Sequence, residues 1–214
     1  MRIAPGYRWL IAVTLAASME AAFAAGPVSP YKALGLPKAV HPTLSSAPVG
    51  TIRVGALEVR LEVTPLSAVQ LMFGGVIRGA GDAANAVTWL CYAGKDAKQR
   101  SVVFWFASND EMSGDHHEVT QIAVQDNPGG AAPAGCGVAP VGLRIEFGIP
   151  AVGSTMDEVS AKFGAGKPDA RGFVSYASET KTTTPKEMTV MQSVQYRVRE
   201  SVVTIVSVSQ VSTQ

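Results

Sequence analysis

The stretch ALEVRLEVTPLSAVQLMFGG, residues 56–75, decides how this chain is read. It opens with strict alternation: Leu57, Val59, Leu61 and Val63 fall on one side, Glu58, Arg60 and Glu62 on the other. Successive side chains of an extended chain point to opposite faces, so the pattern predicts a half-buried strand with the four apolar residues inward. Thr64-Pro65 then predicts a helix start, with Thr64 as the cap and proline at the first helical position, where its missing N–H costs nothing. Leu66, Val69 and Phe73 recur at spacings of three and four, one face of a short helix running to about Met72, and Gly74-Gly75 supplies the stop.

The same order returns in LRIEFGIPAVGSTMDEVSAKFG, residues 143–164. Leu143, Ile145, Phe147 and Ile149 repeat the alternating strand at an offset of 86, and Ser154, Val159 and Phe163-Gly164 repeat Thr64, Val69 and Phe73-Gly74 at 90. Tyr176, Thr204 and Val206 match Tyr92, Thr120 and Ile122 at 84. The register changes only between elements, where insertions are tolerated, so the pattern predicts a duplicated unit of strand, helix and three strands. In the first copy the three strands are expected at 87–93, 101–108 and 118–125. The expected fold class is α+β, with two similar units, each a short helix packed on a small antiparallel sheet. The expected organisation is a signal peptide at 1–24, a proline-rich and largely irregular arm at 25–50, a first unit at 51–127, a connector at 128–139 and a second unit at 140–214.

Residues 1–24 have the three parts of an export signal: Arg2 and Arg8, an apolar run from Trp9 to Ala17, and Ala22-Phe23-Ala24 for cleavage. Ser18 and Glu20 interrupt that run, which is shorter than the ~20 residues of a typical span. With no cysteine near the cleavage site, the mature chain is expected to be soluble, without a stable membrane anchor, and periplasmic or secreted. The formal net charge of +1 becomes zero once Arg2, Arg8 and Glu20 are removed. Such a balance offers no footprint for nucleic acid. Cys91 and Cys136 are the only cysteines, and in an exported chain they are expected to be bonded. The closed loop gives roughly 4 kcal/mol in the chain-entropy account. No C-x-x-C spacing suggests exchange chemistry.

The segment from Gly148 to Pro168, with Ser154-Thr155, Val159, Phe163-Gly164 and Pro168, resembles the short signature of the SmpA/OmlA, or BamE-like, envelope proteins. In tandem it is similar to the β-lactamase inhibitory protein architecture. The resemblance implies helix-plus-sheet units and the binding of other envelope or secreted proteins, and it implies no catalytic residue. The chain departs from the first family in lacking a lipidation cysteine and carrying two units. It departs from the second in having one cysteine pair instead of one per unit.

Motifs for catalysis or cofactors are sparse. There is no G-x-S-x-G elbow, and Gly164-Ala165-Gly166-Lys167-Pro168 follows a helix and has proline where a phosphate loop needs Ser or Thr. No cofactor and no metal are expected. The densest polar cluster runs from Asn109 to Glu118. Asp110, Asp115, His116 and His117 are ligand types for a divalent ion, yet neighbours in a strand face opposite ways, which favours a solvated hairpin loop. In Val102-Val103-Phe104-Trp105-Phe106, alternation puts Phe104 and Phe106 on one face and Trp105 on the other, where the indole either anchors a partner or packs against the arm or second unit. The candidate recognition patch is therefore Trp105 with Asp110, Glu111, Asp115, His116 and Glu118. The expected function is an exported, non-catalytic protein-binding or scaffold protein of the cell envelope. Its partner would be another envelope or secreted protein. The alternatives are an inhibitor that inserts loop 109–117 into an extracytoplasmic hydrolase and, more remotely, a small metal-dependent hydrolase.

Overall fold

The computed structural model describes residues 27–35, 40–82, 86–109, 116–183 and 187–213. Its centre is one eight-stranded sheet. The first half of the chain contributes β3 (Arg78–Ala80), β4 (Val87–Lys95), β5 (Ser101–Asn109) and β6 (Gln121–Asp126). The second contributes β9 (Phe173–Thr182), β10 (Met188–Arg199) and β11 (Val202–Thr213). They lie in the order β3-β4-β5-β6-β11-β10-β9, and β7 (Gly137–Val138) adds a short parallel pairing to β4. β6 and β11 pair antiparallel from Ile205↔Gln125 to Ser209↔Gln121, which makes the two halves one continuous sheet. β4, β5 and β11 are rich in β-branched and aromatic residues, the types that fit a pleated, buried surface.

Alternation gives the sheet two buried faces. The inner face carries Leu90, Tyr92, Phe104, Phe106, Ile122, Val174, Tyr176, Val194, Tyr196, Val206 and Val208 in a single core. Helices α2 (Leu66–Phe73) and α3 (Met156–Phe163) supply Leu66, Val69 and Val159 to that core. A three-stranded sheet of β2 (Leu57–Val59), β1 (Ile52–Val54) and β8 (Ile145–Glu146) closes it with Ile52, Val54 and Val59. The outer face gathers Trp89, Cys91, Val103, Trp105, Ala107, Ala123 and Ile205 under Leu34 of α1 (Pro30–Leu34). Cys91 and Cys136 are bonded, tying β4 to the segment that leads into β7.

Several expectations are corrected. The fold is mostly β: among the described residues three short helices accompany strands of up to twelve residues, and the α+β fold of two units, each with its own sheet, is not found. Both halves share one sheet and one core, because the β6–β11 pairing leaves no edge between them. The alternating strand at 56–63 ends at Val59: residues 61–63 turn, Glu62 has φ of 59°, and Val63 is exposed. Its counterpart at 143–149 is a strand only at Ile145–Glu146, and both segments flank β1 in the same small sheet. Thr64 does not cap α2, since its Oγ1 accepts from Arg60 N and closes the preceding turn. Thr155, not Ser154, caps α3. The arm contains the helix α1, and Leu44 reaches β9 through an isolated bridge to Ser178.

Candidate recognition surface

Trp105 is 1% exposed, so it is no surface anchor. Alternation does place it opposite Phe104 and Phe106, but α1 covers that face, and the indole Nε1 donates to Gln125 Oε1 at 3.2 Å. Of the two possibilities open to this residue, packing beneath the arm is the one realised. Asp110, Glu111 and Asp115 lie outside the described residues, and with them most of the candidate metal cluster and charged loop. His116 is exposed. His117, also exposed, has φ of 52°, so strand alternation does not apply to this pair. Glu118 is half-buried, and one of its carboxylate oxygens is buried without a partner among the described residues.

The far end of that loop is joined to the start of α2. Leu66 N donates to His117 O at 3.0 Å, Val119 N donates to Thr64 O at 2.8 Å, and Pro65 bridges Glu118. Helix α2 has no side-chain cap, because Pro65 stands at its N-cap position; main chain from a distant loop takes one of the first-turn donors instead. At the other end Gly74, with φ of 72°, carries the chain out of the helix. Its N–H donates to Gln70 O, its carbonyl accepts from Tyr92 OH at 2.6 Å, and Gln70 Nε2 donates to Gly75 O. Burial pushes the Tyr92 hydroxyl up to about 12, so the donor stays protonated through the physiological range.

These contacts fix a helix whose outward side is apolar. Leu71 is 90% exposed, Met72 52% and Val76 61%, with Val63 at 56% just before the helix. No charged residue occurs from Val63 to Ile77. Ser67, Ala68, Gln70 and Leu71 line a shallow depression on the same helix. Helix α3 is built differently at the matching positions. Where α2 has Ser67, Ala68, Leu71 and Met72, α3 has Asp157, Glu158, Ala161 and Lys162. It is also capped by its own residues: Glu158 N donates to Thr155 Oγ1, and the Glu158 carboxylate accepts from Thr155 N at 2.6 Å, which holds that carboxyl below its usual range. An exposed aliphatic run on a rigid, uncharged helix gains by being covered, about 1.5–3 kcal/mol for each large side chain fully buried.

Leu71, Met72 and Val76 are the residues that the sequence pattern did not single out. The available signal was an absence: once Leu66, Val69 and Phe73 are assigned inward, nothing polar is left for water to solvate beyond Ser67 and Gln70. Among the described residues no three His, Cys, Asp or Glu side chains are grouped as a metal site, and no helix is long and apolar enough to cross a membrane. The disulfide fits an oxidising compartment outside the cytoplasm. Comparison with known protein families, with curated proteins and with solved structures gives no significant match, so the surface is read from its own residues.

Proposed function

We propose that this is an exported, non-catalytic binding protein of the cell envelope, periplasmic or secreted, which engages another protein through the outward face of α2. The observation that carries this reading is the contrast between the two helices. Both are held by buried residues and a glycine stop, but only α2 leaves Leu71 and Met72, with Val76 just beyond its end, uncovered and free of charge. Monomeric proteins usually break up such faces with charge, as α3 does, and an unbroken one is the composition of an interface core. The export signal at 1–24 and the likeness in pattern to envelope-protein signatures support the same reading.

The test compares mature wild type with two surface variants in affinity capture from an envelope extract. A partner held by wild type and by Ala161→Asp on α3, but lost from Leu71→Asp on α2, is the expected result. Equal capture by all three folded proteins refutes the assignment of α2.

A further inference from the structure

At the end of the sheet away from α2, two arginines lie over one aromatic ring, and a third follows two residues on along β10. Phe173 opens β9 and pairs directly with Arg197 of β10. Arg171 precedes it by two residues; Arg199 follows Arg197 by two, beyond a register shift between Arg197 and Val198, and Val198 between them packs on the inner core. The guanidinium carbons of Arg171 and Arg197 lie 5.4 and 5.6 Å from the Phe173 ring centroid, and the ring is buried. Asp169 shapes the approach to β9. Its Oδ1 accepts from Arg171 N and Phe173 N, and its Oδ2 lies 3.5 Å from Arg171 Nη2.

Arg197 differs from its neighbours. It is half-buried, and its Nε is a buried donor with no partner among the described residues. A guanidinium stacked on an aromatic ring keeps its edge free for a planar acceptor, and a buried charged donor left unmade is costly. Burial, and after it the charge of Arg199, disfavours the charged form of Arg197, as expected of a cation lacking a close counter-ion.

We propose that Arg171 and Arg197, stacked on Phe173, together with Arg199 beyond them on β10, form a receptor for a single carboxylate presented by an acidic segment of a partner protein. The proposal rests on the protein-binding function above but uses a different surface. The missing counter-ion selects the ligand. Asp169 already lies against Arg171, and among the described residues no ion pair engages Arg197 or Arg199, so a carboxylate supplies the counter-ion that the pair lacks. A membrane surface or nucleic acid attracts through an extended field of many cations, and this patch is two strands wide and edged with acid. Arg197 supplies the recessed fork, while Arg171 and Arg199, both exposed, close over the bound group from the rim.

The test follows the Arg197 Nε–H resonance in the mature protein by 15N NMR. The probes are a short end-blocked peptide with one Glu, its Gln counterpart, inorganic phosphate, sodium chloride and phosphatidylglycerol vesicles. The Glu peptide is expected to shift the resonance saturably, the Gln peptide and chloride not to do so, and Arg197→Lys to weaken Glu-peptide affinity about tenfold or more by ultrafiltration binding. If Arg197→Lys does not fold, Arg199→Gln on the exposed rim carries the same comparison with a smaller expected loss. No saturable shift, an equal response to the Gln peptide, or tighter binding of phosphate or vesicles overturns the proposal. Leu71→Asp should bind the Glu peptide as wild type does, so failure here and failure of the α2 assignment are told apart.

Discussion

The two halves of the sheet hold their helices in the same way and dress them differently. In the first, Tyr92 OH reaches Gly74 O at 2.6 Å; in the second, Tyr176 OH reaches Gly164 O at 3.1 Å. An isolated bridge joins each helix entry to the strand region beneath it, Pro65 to Glu118 and Thr155 to Val202. The differences lie where side chains leave the scaffold. Helix α2 is uncapped and apolar outside, whereas α3 has a capping box and charges. The outer face of the sheet divides as well. Cys91 and Trp105 pair on β4 and β5, and Ser175 and Gln195 pair on β9 and β10. Contacts that close the core are dictated by geometry, so both halves retain them. Exposed positions are not so constrained, and it is there that the two halves diverge.

The largest effect expected to test this contrast is on the outer face. Trp105→Ala should destabilise the protein by about 3–5 kcal/mol, as removal of a buried aromatic does, while Ser175→Ala on the other half should change stability by no more than about 0.5 kcal/mol. Urea unfolding of both variants decides it. A Trp105→Ala protein as stable as wild type would mean that α1 does not hold the indole down.

The disulfide belongs to the first half alone. Reduction of Cys91–Cys136, which closes a 45-residue separation, should lower stability by up to about 4 kcal/mol. Hydrogen exchange should rise more in residues 127–140 than in β9–β11, because the bond anchors that segment beside β4. Uniform loosening across the sheet would show that the two halves respond as one body.

How much of this was legible in the sequence depends on the range of the contacts involved. β4 and β5 were placed to within two residues, because long alternating runs with aromatics carry their own signal. The strand at 56–63 was overextended, since its alternation runs through Glu62, whose left-handed backbone ends the strand and whose carboxylate accepts from Gln210 and Ser212 on β11, some 150 residues away. Trp105 was correctly faced, but its cover comes from Leu34, and a five-residue helix between prolines leaves no periodic trace. The β6–β11 pairing that merges the halves is likewise a long-range choice, invisible to local pattern. The bare face of α2 was readable as fifteen residues without charge.

Smaller effects concern the tyrosines. Tyr92→Phe and Tyr176→Phe each delete a bond to a helix-stop carbonyl and should cost about 1 kcal/mol, whereas Tyr196→Phe should be neutral or stabilising, because the Tyr196 hydroxyl is buried without a partner among the described residues. The Tyr92 hydroxyl is held up near 12 against an ordinary 10. The folded state therefore retains its proton after the unfolded chain has lost it, and stability should fall as pH rises from about 10 to about 12. Tyr92→Phe should make that decline shallower. An identical alkaline limb in both proteins would place the loss elsewhere.

An effect of similar size probes a tie across the halves. Asp96, in the turn between β4 and β5, accepts at Oδ1 from Lys98 N and Arg100 N and at Oδ2 from Arg100 Nε. It thereby holds Arg100 against Gly153, just before α3, where an added methyl would fall 1.2 Å from Arg100 Nη1. Burial pushes the Asp96 carboxyl up, but the bonds and charge of Arg100, with Lys98 N–H, outweigh it and bring the carboxyl below its usual range. A carboxyl lowered on folding contributes stability above its unfolded value and loses it as pH falls through the folded one, so this contribution should disappear on acidification below about pH 4. Asp96→Asn should cost about 1 kcal/mol at neutral pH, the pair being partly solvated, and should flatten the acid limb of a denaturation series. If the variant keeps the wild-type acid limb, Asp96 does not control it, and the contact of Arg100 with Gly153 is held by packing alone.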